Sequence, residues 1–132
     1  MAKPTEDLDF FTYRGDSFAM KLQFFDTNKQ PIDVTVFDIK MSVRDEYEDT
    51  DSIITKDRTA QVSNGIVTSA DAQAGSYNLT QSNQIAVIIE SDDTKVLRPD
   101  IYPFDVEFKK GTGIYTPIRG NLIVRKDMTI NS

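Results

Sequence analysis

Cysteine, histidine and tryptophan are all absent from this chain of 132 residues. Without cysteine there is no disulfide frame, no thiolate nucleophile and no cysteine-based zinc site. Without histidine the commonest general base near neutral pH is missing, along with the commonest transition-metal ligand. Long apolar runs are lacking too. The longest aliphatic block, IAVII at residues 85–89, is far too short to span a bilayer, so no membrane partner is expected. The opening MAKPTEDLDFF carries polar residues where a secretion signal needs an apolar run. A soluble protein made in a cytoplasm is the expectation. Basic residues are outnumbered, 15 against 21 acids, and only Lys109-Lys110 and Arg125-Lys126 adjoin. Nucleic-acid affinity rests on clustered Lys and Arg, so that partner class is excluded as well.

What is present reads as one ordinary globular domain over residues 1–132, with 39% hydrophobic and 27% charged residues. No linker, internal repeat or low-complexity segment divides it. Period-two alternation dominates. Phe18, Met20, Leu22 and Phe24 alternate with Ala19, Lys21 and Gln23, as on a half-buried strand. DTNKQP closes that run, PIDVT leads into a second, and Phe37, Ile39, Met41 and Val43 repeat the pattern. The two runs are expected to pair antiparallel. A charged loop at 45–52 follows. Asn64-Gly65 predicts a turn before IVTSADA, and GSYNLT predicts a strand with Tyr77 and Leu79 inward.

Residues 84–91 suit either a strand or a short buried helix; four of the five central residues are β-branched, which favours strand. Tyr102, Phe104, Val106 and Phe108 alternate up to KKGTG, and Ile118, Gly120, Leu122 and Val124 form the returning strand. Pro103 and Pro117 lack the ladder N–H and are expected at edges or strand starts. The predicted fold is all-β, an immunoglobulin-like antiparallel β-sandwich of seven to nine strands. Its predicted core holds Phe18, Met20, Leu22, Phe37, Ile39, Met41, Phe104, Val106, Leu122 and Val124, with short polar arms at residues 1–7 and 126–132.

The order of motifs is informative beyond the fold. FFTYRGDSFAMKLQFFDTNKQPIDVT is followed by IKMSVRD, GSYNLT and IYPFDVEFKKGTGIYTPIRGNLIVRKDMT. This order resembles that of tailed-phage virion proteins, in particular the N-terminal domain of phage baseplate upper proteins, over residues 8–129. The resemblance implies a non-enzymatic structural component of the virion, an adaptor or connector in the tail, baseplate or neck that attaches neighbouring proteins or fibres. It implies partners among other virion proteins and a homo-oligomer within the particle. It brings no catalytic, cofactor-binding or metal-binding residues. Two departures stand out. No coiled coil or receptor-binding head follows in this sequence, so an adaptor, connector or decoration protein is expected rather than an adhesin. The segment IAVIIESDDTKVLRPD is longer than the family pattern and is expected to carry a contact particular to this virion.

Other constellations compete with that expectation. Arg14-Gly15-Asp16-Ser17 is the tetrapeptide that adhesion receptors read from a mobile loop. A chance Arg-Gly-Asp occurs in about 3% of chains this long, and this one lies between two hydrophobic runs. A structural turn is therefore predicted, with Gly15 relieving the bend and Asp16 accepting backbone hydrogen bonds. Asp45, Glu46, Glu48, Asp49 and Asp51 offer oxygen ligands but lack the glycine and closing glutamate of a helix-loop-helix calcium site. That segment, and ESDDTK around Asp92-Asp93, read as solvated acidic loops. A two-carboxylate hydrolase finds no setting that splits the two pKa values. A carbohydrate-binding module recognising host surface sugars is the alternative function. It would need Phe10, Phe11, Phe18, Phe24, Phe37, Tyr102, Phe104 and Phe108 to share an exposed face, whereas the alternation sends most of them inward.

Overall fold

The computed structural model describes residues 7–46 and 52–126. Apart from Asp7 and Lys126, the two polar arms lie outside these residues, as does most of the acidic connection at 45–52. Alternation yields nine strands among the described residues: β1 (Asp7–Tyr13), β2 (Phe18–Gln23), β3 (Asp38–Val43), β4 (Ile54–Thr59), β5 (Val62–Asn64), β6 (Ile66–Thr68), β7 (Gln84–Ile89), β8 (Asp100–Lys110) and β9 (Gly113–Arg125). An isolated bridge between Phe25 and Pro31 adds a short pairing beyond the seven to nine strands expected. The strands form a six-stranded sheet, β1-β9-β8-β3-β4-β5, and a three-stranded sheet, β2-β7-β6. The fold is an all-β, immunoglobulin-like sandwich. Its connectivity is of the variable type, with β1 moved to the larger sheet, where it lies parallel to β9. The larger sheet is therefore mixed rather than wholly antiparallel.

The inward faces carry the expected alternation. Met20, Leu22, Phe24, Ile85, Val87 and Ile89 of the smaller sheet's side meet Ile39, Met41, Val43, Tyr102, Phe104, Val106, Phe108, Leu122 and Val124 of the larger. Phe18 and Phe37, expected inside, sit half-buried against this cluster. Each lies at the start of its alternating run, where fewer neighbours surround it; the Phe37 ring still stacks on Phe108 at 5.2 Å. The Tyr102 hydroxyl donates to the Arg98 carbonyl at 2.7 Å, forming the tyrosine corner of such sandwiches. Phe104, two residues on, stands where antibody domains place their second cysteine.

Several expectations are corrected by this arrangement. The runs 18–24 and 37–43 do not pair; β2 pairs with β7 and β3 with β4 and β8, so the two runs face each other across the core. The chain changes sheet through a single 3-10 turn, Val34–Val36, capped by the Asp33 carboxylate accepting from the Thr35 N–H. GSYNLT is not a strand. Residues Ala72–Tyr77 form a 3-10 helix ended by Asn78 in the left-handed region. Tyr77 and Leu79 do turn towards apolar partners, but these are Ala74 of the same segment and Val67, Ala86, Ala19 and Ile88 on the outer face of the smaller sheet.

Asn64-Gly65 is not a hairpin turn either. Gly65, at φ +92°, is the point where the chain crosses from β5 into β6 and the other sheet. The tight turn lies earlier, at Ala60-Gln61, both with positive φ, the conformation of a two-residue hairpin that usually selects Asn-Gly. ESDDTK is helical: Ser91–Thr94 form one turn, α1, with a reciprocal capping box between Glu90 and Asp93.

Pro103 and Pro117 are both explained by ladder geometry. Pro103 lies inside β8 rather than on an edge, but β3 pairing ends at Val43↔Phe104, and the Pro103 carbonyl accepts the last bond, from the Arg44 N–H, at 2.8 Å. Its missing N–H falls where β3 has run out. Pro117 falls in the irregularity where the β8–β9 register shifts between Val106 and Phe108.

The two sheets are unequal, and β4 carries Lys56 and Arg58 on the same face as buried Ile54. Lys56 Nζ reaches Asp93 at 2.8 Å. Arg58, only 2% exposed, grips Asp71 through Nε at 3.0 Å and Nη2 at 3.1 Å, while Nη1 donates to the Thr35 carbonyl at 3.2 Å. Burial works to raise the Asp71 pKa, but the Arg58 hydrogen bonds, the Thr68 N–H and the Arg58 charge prevail and leave it lowered. A lowered folded pKa contributes stability above the ordinary value of 3.8 and loses it as pH falls through the folded value. Arg58→Ala is expected to cost about 3–5 kcal/mol in chemical denaturation, because the buried guanidinium and its packing are lost and half-buried Asp71 keeps its charge with no cation beside it. Asp71→Asn should flatten the loss of stability seen on acidifying below the ordinary carboxylate range.

Candidate functional site

The Arg14-Gly15-Asp16 triplet is a turn in the structure. The Asp16 N–H donates to the Tyr13 carbonyl at 3.0 Å, and Gly15 has φ +89°, as the third position of a type II turn requires. It links the edge strand of one sheet, β1, to the edge strand of the other, β2. The turn is docked on α1. The Gly15 N–H donates to Thr94 Oγ1 at 2.9 Å, and Thr94 Oγ1 donates to the Asp16 carbonyl at 3.1 Å. Arg14 donates its Nε to the Lys95 carbonyl at 2.9 Å instead of pairing with Asp16 or a strand carboxylate. The long segment after β7 therefore has a use within the domain: its one-turn helix anchors the turn between sheets.

The carboxylates are placed as follows. Asp93 caps α1 and pairs with Lys56; Asp92 pairs with Lys95 on the surface. Asp45 and Glu46 are exposed at the end of β3, and the remaining acids of that segment lie outside the described residues. Among the described residues, no group of three or more His, Cys, Asp or Glu is placed to hold a metal ion. No helix of the described residues is long and apolar enough to cross a membrane.

The aromatics divide unevenly. Phe24, Tyr102, Phe104 and Phe108 are buried, and Phe10, Phe18 and Phe37 pack against the core. Phe11 and Phe25 are exposed, and of the two Phe11 lies within a sheet. Adjacent strand residues point to opposite faces, so with Phe10 inside, Phe11 must stand on the outer face of the larger sheet, 54% exposed. Register then builds a row: Phe11 lies beside Ile123 on β9, and Ile123 beside Ile101 on β8, itself 56% exposed. The Arg125 guanidinium lies 4.5 Å from the Phe11 ring centre, and one row away Asn121 donates to Asp9 at 3.1 Å. The opposite side of the sandwich has no such opening, because the segment 72–79 already covers the smaller sheet. This row was not anticipated from the sequence. Its signal was the Phe10-Phe11 pair, which in a strand cannot place both rings inside.

Gly120 fixes β1 in this position. A Cβ there would lie 1.9 Å from the Leu8 carbonyl oxygen, well inside contact distance. No protein-family model matches the chain, and no curated protein matches it.

Two outcomes are expected. Thr94→Val should lower stability by about 1–3 kcal/mol in denaturant titrations, since the Gly15 N–H loses its acceptor, while Asp16→Glu should stay within about 0.5 kcal/mol. Gly120→Ala should displace β1, seen as fast amide hydrogen exchange over residues 8–12 with the β3–β4–β8 ladder still protected.

Proposed function

We propose that this protein is a structural component of a tailed-phage virion, an adaptor or connector in the tail, baseplate or neck that works by forming interfaces. The observation that carries the reading is the exposed apolar row Phe11, Ile123 and Ile101 on the open face of the larger sheet. Contiguous exposed apolar surface with charged groups beside it is a mark of protein contact sites. The order of motifs that resembles baseplate upper proteins supplies the setting. The proposal includes several copies per particle, since tails and connectors are built on rotational symmetry.

The sugar-binding alternative draws less support. Carbohydrate platforms need several exposed rings on one face, and this row offers Phe11 with two isoleucines.

The test uses purified particles of the parent phage. Mass spectrometry should find the protein as a stoichiometric component. Phe11→Ser combined with Ile101→Ser should leave a folded domain yet reduce incorporation by at least about tenfold, roughly the effect of losing 1.4 kcal/mol at a contact. Absence from particles would overturn the virion reading, and normal incorporation of the double variant would overturn the role of this face.

A further inference from the structure

Two independent features meet at β2. The first is an open edge. β2 ends the order β2-β7-β6 and has β7 as its one sheet partner among the described residues. The Phe24 N–H donates to the Asn83 carbonyl at 3.0 Å, continuing the β2–β7 register. Phe18, Met20 and Leu22 therefore share their backbone groups with β7, and by the antiparallel alternation those of Ala19, Lys21 and Gln23 point away from it. The Ile88 N–H, bonded to Gly65 at 2.7 Å on the β6 side, fixes the same phase. The edge is six residues long, as against seven at β1 on the larger sheet and three each at β5 and β6, which are too short to template another strand.

The second feature is a half-open cavity of about 260 Å³, lined by Lys21, Leu22, Gln23, Leu79, Gln84 and Ile85. It is smaller than the roughly 300–1,000 Å³ of small-molecule sites and suits a single side chain. Its rim donates hydrogen bonds. Gln84 Oε1 already accepts from the Thr80 and Gln81 N–H groups at 3.0 Å each, and its amino group makes no hydrogen bond among the described residues. Lys21 is exposed and makes none of the ion pairs formed among the described residues.

We propose that the β2 edge receives an extended acidic segment of a partner protein as a fourth strand, with a glutamate side chain seated in the adjacent cavity. Added strands gain affinity from main-chain bonds and specificity from pockets for alternate side chains. The aliphatic stem of glutamate lies along Leu79, and its carboxylate meets Lys21 and the Gln84 amide. A lysine on an exposed edge also discourages unselected strands, so the same residue that admits an acidic segment rejects basic ones. That the strand comes from a neighbouring virion component rests on the assembly reading. The edge and its chemistry do not.

The experiment titrates isotopically labelled protein with the blocked peptide acetyl-Thr-Val-Glu-Val-Thr-amide and with its counterpart carrying lysine in place of glutamate. Saturable amide shifts and slowed exchange are expected at Ala19, Lys21 and Gln23, with the lysine peptide weaker by at least about tenfold. Lys21→Pro removes an outward N–H without breaking the β2–β7 ladder and should abolish binding. If that variant fails to fold, Lys21→Glu carries the test and should reverse the preference between peptides. Equal binding of the two peptides, shifts confined to other strands, or no saturable shift would overturn the proposal. Concentration-dependent shifts at the same three amides without peptide would assign the edge to a second copy of this chain and also contradict it. Absence of the protein from phage particles would leave the peptide result standing, so the two readings fail separately.

Discussion

A guanidinium buried between two unequal sheets holds this sandwich closed. The six-stranded sheet is wider than its three-stranded partner, and β4 touches that partner at the crossover into β6, where Asp57 bridges Gly65. Ile54 at one end of β4 packs into the apolar core. Arg58 spans the flank to Asp71, at the start of the segment that covers the smaller sheet, and takes a third contact from the Thr35 carbonyl beside the first crossover. The planar fork of arginine matches a carboxylate with two parallel bonds, which lysine could not supply. The same carboxylate accepts the Thr68 N–H at 2.8 Å, so one ion pair ties β4, the end of β6 and the 3-10 helix together. Lys56 and Asp93 repeat the device at α1. Desolvation opposes both pairs, most of all the deeper one, and their value lies in fixing which segments close the flank.

Much of the fold was legible from period two. The inward faces of β2, β3, β8 and β9 follow directly from apolar residues at alternate positions, and the β-branched run at 85–89 forms β7 as its composition favoured. Pairing was less legible. Residues 18–24 and 37–43 are neighbours in sequence with similar patterns, but alternation marks only which face is buried and is silent on whether two such faces lie side by side or opposite. GSYNLT misled for a related reason. Tyr77 and Leu79 both contact apolar neighbours, yet from a 3-10 helix lying over the smaller sheet. Local turn chemistry failed once in each direction: Asn64-Gly65 changes sheet without making a hairpin, and Ala60-Gln61 makes one without the usual residues.

The surface was harder to foresee than the core. The Arg14-Gly15-Asp16 triplet was readable as a turn from its flanks, whereas its anchor, Thr94, is separated from it by most of the domain and shows only in three dimensions. Phe11 was grouped with core aromatics, although its neighbour Phe10 had already taken the inward position. Together these placements leave the domain with one covered face, one open face carrying an apolar row, and an unpaired edge at β2. For a chain read as a virion adaptor, those are its means of joining neighbours. The carboxylates of Asp71, Asp92 and Asp93, by contrast, are engaged beside β4 and at α1, in structural roles.

Hydrogen-deuterium exchange on the protein in assembled particles, compared with the isolated protein, tests the assembly reading most directly. Added protection is expected along the row on β1, β8 and β9, at residues 9–13, 99–103 and 121–125. Unchanged exchange there, with new protection confined to the turn at 60–61 and the segment 72–79, would contradict the assignment of the open face as the contact surface.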